Sequence, residues 1–599
     1  MSKIATLFLP FALFSGNAFT AEQVPLEITV TANRYSTQQK SASSTQVLTS
    51  SDIQQRGIST LSHALEQFNG VKVARNGSVG SATSIFVRGS NSNHTIVLLD
   101  GQRLTSTTDG KTEIEYIPLN IVDRIEFVSG SLSTIYGSDA IGGVINIFTK
   151  PASSTTSRQL TFAIGNGHTE GSLSTSGAIN EDTLYRLNLG QEYTSGYDVA
   201  NVYSNADDDG YANKHLDLAI QRRIGAFTVE GSAAQWRGKT EFDEDPINFA
   251  FDNTTDFVTS RAGLNMNYIG TNYDLQSSIN KINNDRFNYD SSNPSQRSKT
   301  SLDRLEWTNI VSHYFDNDLE VSSGFDLRDE KASSTYATGT NSTKGLFGAI
   351  KKSFDSLHLD GSLRRDYQSH YGYKTSWATG LTLDITEDLD VFITRKSAYA
   401  NPTLADLDPK WGNPGLLPED AKTTEFGLRF RPTADLKGEI LLYDTKYNNL
   451  IEFKSFKLAN IGEARGRGLE LNLTKRLNAV DLKANYAYLD SENLDNGGAP
   501  LINRASHEAK LSAAYRINDK TNFNIGYHYT GDMTSLDAVN YTSKKMPNYG
   551  LWNAAMSHKV NDQVSLEVSI DNLLNKNYQP VDGFNGRKRY GEARLRYNF

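Results

Sequence analysis

The 599-residue chain has no cysteine and only 14 prolines, and its acidic residues outnumber its basic ones, 69 to 60. The lack of cysteine excludes a disulfide framework and a catalytic thiol, and suits a chain that crosses an oxidising compartment before it folds. The net charge of −9 argues against a nucleic-acid partner, whose phosphates require a basic face. Beyond the N-terminus no apolar run reaches the roughly 18 residues of a membrane helix, so a chain of this kind spans a membrane only as a closed barrel.

The N-terminus has the parts of an export signal. Lys3 supplies the positive charge, residues 4–14 form an apolar run interrupted by Pro10, and small residues follow. Gly16 and Ala18 fit cleavage after Ala18, and cleavage near Ala21 is an alternative. A short buried helix is the competing interpretation. We expect residues 1–20 to be a signal peptide.

Residues up to about 150 have the pattern of a small globular domain. Short apolar runs alternate with turn signals, and Leu61, Leu65 and Phe68 recur at helical spacing behind Ser59 or Thr60 as a candidate N-cap. This region predicts an α+β domain of roughly 120 residues, a common domain size.

From about residue 159 the hydrophobic pattern has a period of two and continues to the C-terminus. Leu595, Tyr597 and Phe599 fall on one face, with polar residues between them. A soluble β-sandwich or propeller would show the same period. The export signal, the 29 Tyr and 27 Phe, which suit interfacial girdles, and the aromatic last residue favour a transmembrane barrel. The length predicts an all-β barrel of about 22 antiparallel strands, whose wide lumen the preceding domain would plug.

A series of segments in order along the chain resembles motifs of the TonB-dependent outer-membrane receptors. The N-terminal ones are residues 26–34 (LEITVTANR), 85–89 (IFVRG), 97–103 (VLLDGQR), 121–126 (IVDRIE) and 136–147 (YGSDAIGGVINI); the barrel ones are 413–419, 462–470 and 571–578. The resemblance covers nearly the whole mature chain. It implies active transport rather than enzymatic activity. It also implies a monomer surrounded by outer-membrane lipid, with a TonB box segment at 21–35, a plug domain at 36–152 and a transmembrane barrel at 153–599.

The resemblance places the TonB box near the N-terminus, and the residue types suit that role. Its β-branched residues favour an extended strand that can add to the edge of a sheet in the periplasmic protein TonB. A first strand of the plug is the alternative. The predicted TonB box residues are Leu26, Glu27, Ile28, Thr29, Val30, Thr31 and Ala32.

The plug motifs carry charges that would be costly to bury singly. In a plug inside a polar lumen, we expect these residues to pair with one another or with the barrel wall. They are Arg88, Arg103, Arg124, Glu126 and Asp139. We also expect Gly142 and Gly143 to allow a close approach that a Cβ atom would block.

Within the family, the nearest resemblance is to the cobalamin receptors, carried by residues 137–147, 196–199 and 207–211. It implies import of cobalamin or a related corrinoid, with ligand contacts on plug loops 76–84 and 104–112. Both loops are rich in residues that offer hydroxyl and backbone hydrogen bonds. The candidate ligand-binding residues are Ser78, Ser81, Thr83, Leu104, Thr105, Thr107 and Thr108.

The acidic run at 207–209 suits calcium, which prefers six to eight oxygen ligands on a flexible loop. Asp207 and Asp209 can point to one side of the chain, and Gly210 supplies a turn; the EF-hand pattern does not fit, because Leu216 would stand where its closing Glu belongs. A solvated acidic loop is the alternative. The resemblance adds Asp198 and, in the next extracellular loop, Asp243, for which Glu244 and Asp245 could substitute. The predicted calcium ligands are Asp198, Asp207, Asp209 and Asp243.

Three other functions compete with corrinoid transport. A receptor for haem or a ferric siderophore shares every motif above, although only ten His are present to serve as haem ligands. A passive porin needs neither a TonB box nor a plug of this size. An outer-membrane hydrolase needs a nucleophile and a base, and neither a Gly-x-Ser-x-Gly elbow in context nor a triad stands out.

Overall fold

The computed structural model describes residues 42–106, 110, 112–199, 207–243, 253–289, 297–335, 338–408, 412–454, 457–540 and 542–599. The predicted signal peptide, the TonB box, Thr107 and Thr108 lie outside these residues.

The N-terminal domain has a five-stranded sheet in the order β1-β6-β7-β4-β5, a separate hairpin of β2 and β3, and three short α-helices. Strands β4 and β7 are parallel, and the other pairs are antiparallel. The elements are β1 (Thr45–Thr49), α1 (Ser50–Gln55), α2 (Leu61–Leu65), β2 (Val71–Arg75), β3 (Thr83–Val87), β4 (Thr95–Leu99), β5 (Gln102–Arg103), β6 (Val122–Ser129), α3 (Ser133–Tyr136) and β7 (Gly143–Thr149), with 3₁₀ turns at Ser92–His94, Ile114–Tyr116 and Leu119–Ile121.

Helix α2 forms as the sequence predicts. Thr60 is its N-cap, and the Thr60 hydroxyl accepts a hydrogen bond from the backbone N–H of His63 at 3.2 Å. Leu61, Leu65 and Phe68 are buried in the main apolar core, which also contains residues of the central sheet. The helical periodicity therefore marks the face that packs against the sheet.

The rest of the described chain forms a closed barrel of 22 long antiparallel strands, in which β32 pairs with β8. The predicted fold is confirmed. The first strands are β8 (Ser157–Gly165), β9 (His168–Asn180), β10 (Thr183–Thr194), β11 (Tyr211–Ile224), β12 (Phe227–Phe242), β13 (Asn253–Ile269), β14 (Tyr273–Tyr289), β15 (Arg297–Phe315), β16 (Leu319–Ser334), β17 (Thr338–Phe354), β18 (Leu357–Gln368), β19 (Gly372–Thr386) and β20 (Leu389–Ala400). The remaining strands are β21 (Glu419–Thr433), β22 (Leu436–Lys454), β23 (Lys457–Leu477), β24 (Val480–Asn493), the short β25 (Ala499–Pro500), β26 (His507–Asn518), β27 (Thr521–Thr530), a loop hairpin of β28 (Met533–Leu536) and β29 (Ser543–Met546), β30 (Tyr549–Lys559), β31 (Val564–Asp571) and β32 (Tyr590–Asn598), with a 3₁₀ turn at Leu494–Asn496.

Alternation along the strands separates a lipid-facing surface from a polar lumen. In β11, Leu216 and Ile220 are exposed, whereas Asp217 and Ala219 between them are buried inside. At the C-terminus, Leu595 and Tyr597 are exposed and Arg594 is buried. No helix in the described part of the chain is long and apolar enough to cross a membrane.

The two ends of the barrel differ in the length of their connections. At the turn end, tight turns such as residues 225–226 and 478–479 join consecutive strands. At the loop end, the connections include residues 195–210, 401–418, 531–548 and 572–589. Barrels of the bacterial outer membrane have short periplasmic turns and long extracellular loops, so the loop end faces outwards. Strand β8 begins and the chain ends at the turn end.

The buried charges of the N-terminal domain pair as expected. Arg103 pairs with Asp139 at 3.0 Å, and Arg124 pairs with Glu126 at 2.8 Å, both within the plug. Arg88 instead reaches the barrel wall, where it pairs with Glu425 at 2.6 Å and with Glu470 at 2.7 Å.

The paired glycines act by close approach. A Cβ atom on Gly143 would lie 2.7 Å from the carbonyl oxygen of Val128, and one on Gly142 would overlap the Ser90 hydroxyl. The expectation for both residues is confirmed, because only glycine lets the β6, β7 and β3 segments approach so closely.

Candidate ligand-binding site

A cavity lies at the loop end of the lumen, between the plug and the barrel wall. Including the part open to solvent, its space is about 730 Å³. Plug loops form the floor, and strands β15, β16 and β17 with the loops after β18 and β20 form the walls. A partly enclosed space of this size is typical of small-molecule sites.

Arg103 organises the floor of the cavity. Its guanidinium donates hydrogen bonds to the carbonyl oxygens of Ser138 at 3.0 Å and Tyr136 at 2.7 Å, and to the Asp139 carboxylate at 3.0 Å. Asp139 in turn accepts a hydrogen bond from the backbone N–H of Asn401 in the wall at 3.3 Å. The floor and one wall are therefore held together by a single buried network.

Arg304 ties the opposite wall to the floor. Its guanidinium donates to the carbonyl oxygens of Arg103 at 2.8 Å and Thr105 at 2.5 Å, and to the Glu330 carboxylate at 2.5 Å. Arg328 lies 3.6 Å from Glu330 and 3.4 Å from the Ser138 hydroxyl. The three arginines of the cavity are thus accompanied by two carboxylates, which leaves little net positive charge for an anionic ligand.

Two wall groups have unused hydrogen-bonding capacity. The Tyr371 hydroxyl and the Asn401 side-chain oxygen are buried and make no hydrogen bond with the residues that the structure describes. Burial and the nearby Asp406 carboxylate raise the pKa of Tyr371 to about 12, so the phenol stays protonated at neutral pH. The cavity therefore offers one neutral donor and one neutral acceptor to a ligand.

The predicted ligand residues of loop 104–112 divide between the cavity and the plug core. Thr105 lines the cavity, and its hydroxyl lies 3.1 Å from that of Thr112. Leu104 instead packs in the apolar core of the plug. Ser106, which the sequence reasoning did not single out, also lines the cavity.

The predicted residues of loop 76–84 lie outside this cavity, beneath the connection between β10 and β11. Ser78, Ser81 and Thr83 are all buried. The connection contacts this loop: the Tyr197 hydroxyl donates to the carbonyl oxygen of Gly77 at 3.2 Å, and a Cβ atom on Gly196 would lie 2.9 Å from the Ser78 hydroxyl. The hydroxyls of Ser78 and Ser81 have no hydrogen-bond partner among the described residues. Because both serines are buried, a ligand reaches them only if the residues around them move.

Gly80 explains how tightly this loop is packed. It has a φ of +88°, and a Cβ atom there would overlap the ring of Tyr211 at the start of β11. The apex of the plug is therefore built against the same segment that carries the acidic run.

The other three predicted calcium ligands lie around Asp209. Burial raises the pKa of Asp209 to about 8, and the carboxylates of Asp243, Asp207 and Asp198 add to this shift by repulsion. Burial and the Asp208 carboxylate also raise the pKa of Asp198. One side-chain oxygen each of Asp198 and Asp209 is buried and accepts no hydrogen bond from a described residue. The structure therefore brings these side chains close enough to repel one another.

Although these carboxylates repel one another, their side chains are not arranged as a metal coordination site. Among the described residues, no group of three or more His, Cys, Asp or Glu side chains is placed to hold a metal ion. Glu241, a neighbour in β12, is engaged elsewhere: it accepts hydrogen bonds from the backbone N–H of Gly210 at 3.0 Å and from Lys239 at 3.0 Å. The substitutes at 244 and 245 lie outside the described residues.

Two family models match the chain. The TonB-dependent Receptor Plug Domain matches residues 37–144, and the TonB dependent receptor-like, beta-barrel model matches residues 132–573. A protein named vitamin B12 transporter BtuB from Vibrio cholerae serotype O1 is 28% identical to this chain, and the alignment covers 100% of this chain and 98% of that one. A protein of the same name from Vibrio vulnificus is 27% identical, with 95% and 94% covered.

Solved structures with the same fold include receptors of another ligand class. The ferric enterobactin receptor PfeA of Pseudomonas aeruginosa has a TM-score of 0.82 and 17% identity, covering 94% of this chain and 100% of its own. The siderophore receptor PirA of Acinetobacter baumannii has a TM-score of 0.80 and 16% identity, covering 93% and 98%. At these identities the likeness concerns the fold alone.

Proposed function

Because the chain belongs to the TonB-dependent receptor family of outer-membrane transport proteins, we propose that it imports cobalamin or a related corrinoid into the periplasm, with energy delivered through TonB. The family predicted from the sequence motifs is confirmed. The observation that carries the choice of ligand is the similarity, along the whole chain, to proteins named vitamin B12 transporters.

The chemistry of the cavity supports a neutral, amide-rich ligand. Thr105 and Ser106 on the floor and Tyr371 and Asn401 on the wall offer hydroxyl and amide groups, which suit the peripheral amides of a corrinoid. Asp139 and Glu330 offset the charges of the cavity arginines, which disfavours a strongly anionic chelate. A corrinoid is larger than a drug-sized molecule, so it would also extend towards loop 76–84, after the segment around Tyr197 has moved.

A receptor for haem or a ferric siderophore is the second candidate. The fold similarity to siderophore receptors favours it, because the barrel and plug of those proteins superimpose on nearly this entire chain. The arginine-rich floor of the cavity would have to exchange its present carboxylate partners for the ligand. The two candidates therefore differ in the charge of the ligand, which is neutral for the first and anionic for the second.

Transport in this proposal divides between two ends of the protein. Ligand captured at the loop end shifts the plug, and residues 26–32 become available on the periplasmic side. That segment adds as a strand to TonB, since its β-branched residues favour an extended backbone. Force transmitted through the strand then remodels the plug and opens a path.

We further propose that calcium binds the acidic side chains around Asp209. Hard oxygen donors fit this ion, and a cation would relieve the carboxylate repulsion that, after burial, adds to the raised pKa of Asp209. Asp198, Asp207 and Asp243 would supply the other carboxylates after a rearrangement that brings them into one coordination sphere. Calcium there would hold the segment above loop 76–84 in one position.

Equilibrium binding of cyanocobalamin to the purified, detergent-solubilised protein tests the ligand. We expect tight binding in the presence of calcium and weaker binding after addition of a chelator. Binding that is indifferent to the chelator would remove the metal from the proposal and keep the ligand. Absence of binding under both conditions, with binding of haem or ferric enterobactin instead, would establish the second candidate.

The calcium proposal predicts a specific dependence on pH. The raised pKa means that Asp209 is mostly protonated at pH 7, whereas calcium requires the carboxylate. Calcium affinity should therefore rise by about tenfold per pH unit between pH 6 and 8, if one proton is displaced, and should level off above pH 8. Calorimetry in buffers of different ionisation enthalpy counts the displaced proton directly.

In Asp209→Asn we expect calcium binding to be largely lost. Asp182→Asn, in a turn at the turn end of the barrel, serves as the control. Unchanged calcium binding in Asp209→Asn would contradict the site.

A further inference from the structure

A chain of hydrogen bonds runs from the interior of the barrel wall to the loop-end cavity. It begins in β18, where Asp366 forms an ion pair with Arg364 at 2.8 Å. The Tyr399 hydroxyl donates to Asp366 at 2.7 Å, and the side-chain N–H of Gln368 donates to the Tyr399 hydroxyl at 3.2 Å. The chain ends in the cavity wall, where the side-chain N–H of Asn401 donates to the side-chain oxygen of Gln368 at 2.5 Å. The four residues behind Asn401 are at most 2% exposed.

The Asp366 carboxylate determines the direction of every bond in this chain. An ionised carboxylate only accepts hydrogen bonds, so the single O–H of Tyr399 donates to it. Because a bond to a charged acceptor is about twice as strong as a neutral one, this proton is not diverted to the neutral amide of Gln368. The Tyr399 oxygen is then left to accept. Gln368 therefore turns its N–H towards Tyr399 and its oxygen towards Asn401.

Asn401 is held with its amide oxygen as the group that remains for a ligand. Its side-chain N–H is engaged by Gln368, and its backbone N–H donates to Asp139 of the plug at 3.3 Å. Gln368 and Asn401 line the cavity, whereas Tyr399 lies behind them, outside its lining. The Asn401 side-chain oxygen is buried and accepts no hydrogen bond from a described residue. A buried acceptor without a partner is unfavourable until a donor reaches it.

We propose that Asn401 is a specificity-determining residue, which presents to the ligand a hydrogen-bond acceptor of fixed direction. It selects a primary amide, whose N–H donates to the Asn401 oxygen, over a carboxylate at the same place, which offers only acceptors and is repelled. The buried bonds that lead back to Asp366 keep the Asn401 amide from rotating to suit the carboxylate. This assignment rests on the proposed corrinoid function and names the substituent that the cavity recognises, an intact peripheral amide.

Equilibrium binding of cyanocobalamin and of its monocarboxylic acids, each with one peripheral amide hydrolysed, tests the assignment on the purified full-length protein. At least one of these acids should bind the unaltered protein about tenfold or more weakly than cyanocobalamin, because a hydrogen bond is lost and two acceptors face each other. In Asn401→Ser this ratio should fall to within about threefold, because a hydroxyl rotates and serves either an amide or a carboxylate.

A variant behind the cavity tests whether the chain sets the direction of the amide. Tyr399→Phe keeps the ring, and Asp366 keeps its ion pair with Arg364. Without the hydroxyl, Gln368 and Asn401 are free to reverse their amides. The affinity ratio between cyanocobalamin and the acid should therefore fall as in Asn401→Ser, although Tyr399 lies outside the cavity lining. Loss of packing alone would weaken both ligands and leave their ratio unchanged.

Tyr590→Phe is the matched control for the loss of a buried hydroxyl. Tyr590 is 3% exposed, and its hydroxyl donates to the Glu592 carboxylate at 2.9 Å, outside the lining of the cavity. The ratio of affinities in this variant should equal that of the unaltered protein. Heat-modifiable mobility on gels reports that each variant still forms a folded barrel.

The outcomes separate this assignment from the proposed function. An unchanged ratio in Asn401→Ser, or acids that all bind the unaltered protein as tightly as cyanocobalamin, overturns Asn401 as the recognising residue while the corrinoid function stands. A ratio that falls in Asn401→Ser but not in Tyr399→Phe, or falls equally in Tyr399→Phe and Tyr590→Phe, overturns the direction set by the chain. Absence of cyanocobalamin binding to the unaltered protein overturns the proposed function and the assignment together.

Discussion

Val30→Pro should reduce uptake of radiolabelled cyanocobalamin by whole cells to the background of cells without the receptor, while the purified variant binds cyanocobalamin with unchanged affinity. Proline removes the backbone N–H that a donated strand needs and fixes φ near −65°, so strand addition to TonB fails at its centre. The loss in uptake is complete because the transport step depends on force applied through this strand. The proposed ligand site is the loop-end cavity, whose lining residues this substitution leaves unchanged.

Two variants define the specificity of this effect. Val30→Thr keeps the β-branched shape and the N–H, so we expect it to retain uptake. Gln39→Pro introduces proline outside the predicted box and should also retain uptake. If Val30→Pro loses ligand binding as well, the two ends of the protein do not divide the work as proposed. If it transports normally, residues 26–32 are not the segment that TonB pairs with.

The barrel and the plug were accessible from the sequence because both express simple periodicities. The two-residue period survives in strands such as β11, since one face contacts lipid and the other a polar lumen. Helix α2 was predictable for a related reason: Leu61, Leu65 and Phe68 recur at helical spacing behind a Thr60 cap. Neither inference required knowledge of which strand lies next to which.

The cavity was only partly predictable, because its walls come from segments far apart in the chain. Thr105 was identified through its loop, whereas Arg304, Tyr371 and Asn401 were not. Only the alternation of β15 indicated Arg304, because it is a charged residue at an inward-facing position between outward-facing neighbours. Tyr371 and Asn401 left none, because a loop residue lines a cavity only through the tertiary arrangement of the barrel.

Loop 76–84 illustrates the opposite outcome. Its Gly, Ser and Thr content suggested an open surface for ligand, yet Ser78 and Ser81 are buried, and the Tyr197 hydroxyl binds the carbonyl oxygen of Gly77 in the same loop. Composition reports which hydrogen bonds a loop can make and says nothing about what covers it. The acidic run was better specified, because mutual repulsion among its carboxylates follows from their number and spacing once a fold holds them together.

Arg88 is the residue whose loss should most weaken the attachment of plug to barrel. Its guanidinium donates two hydrogen bonds of 2.7 Å to Glu470 and one of 2.6 Å to Glu425. All three side chains are at most 3% exposed. Glu425 also pairs with Lys396 at 2.8 Å, whereas Glu470 has no other ion-pair partner among the described residues.

In Arg88→Ala, Glu470 would remain buried without a cation, a change that costs about 3–5 kcal/mol. We expect the urea concentration at which the plug unfolds to fall by about 1–5 M, given slopes of about 1–3 kcal/mol per M. Ion conductance of the protein in planar bilayers, recorded at increasing urea, detects this step because an unfolded plug leaves an open barrel. Cyanocobalamin binding should be lost over the same range, since the plug forms the floor of the cavity.

The loss of stability in Arg88→Ala comes from the unpaired charge and not from lost packing. A second variant separates these two causes. Arg88→Met/Glu470→Gln removes both charges at similar volume and should recover a large part of the lost stability, because no uncompensated carboxylate remains and Glu425 keeps Lys396. Arg223→Ala breaks the exposed pair with Asp182 and should change the unfolding free energy of the plug by less than about 0.5 kcal/mol. If the double variant is as unstable as Arg88→Ala, the contribution of Arg88 comes from packing and its hydrogen bond to Ser129, and the buried ion pair is not what fastens the plug to the wall.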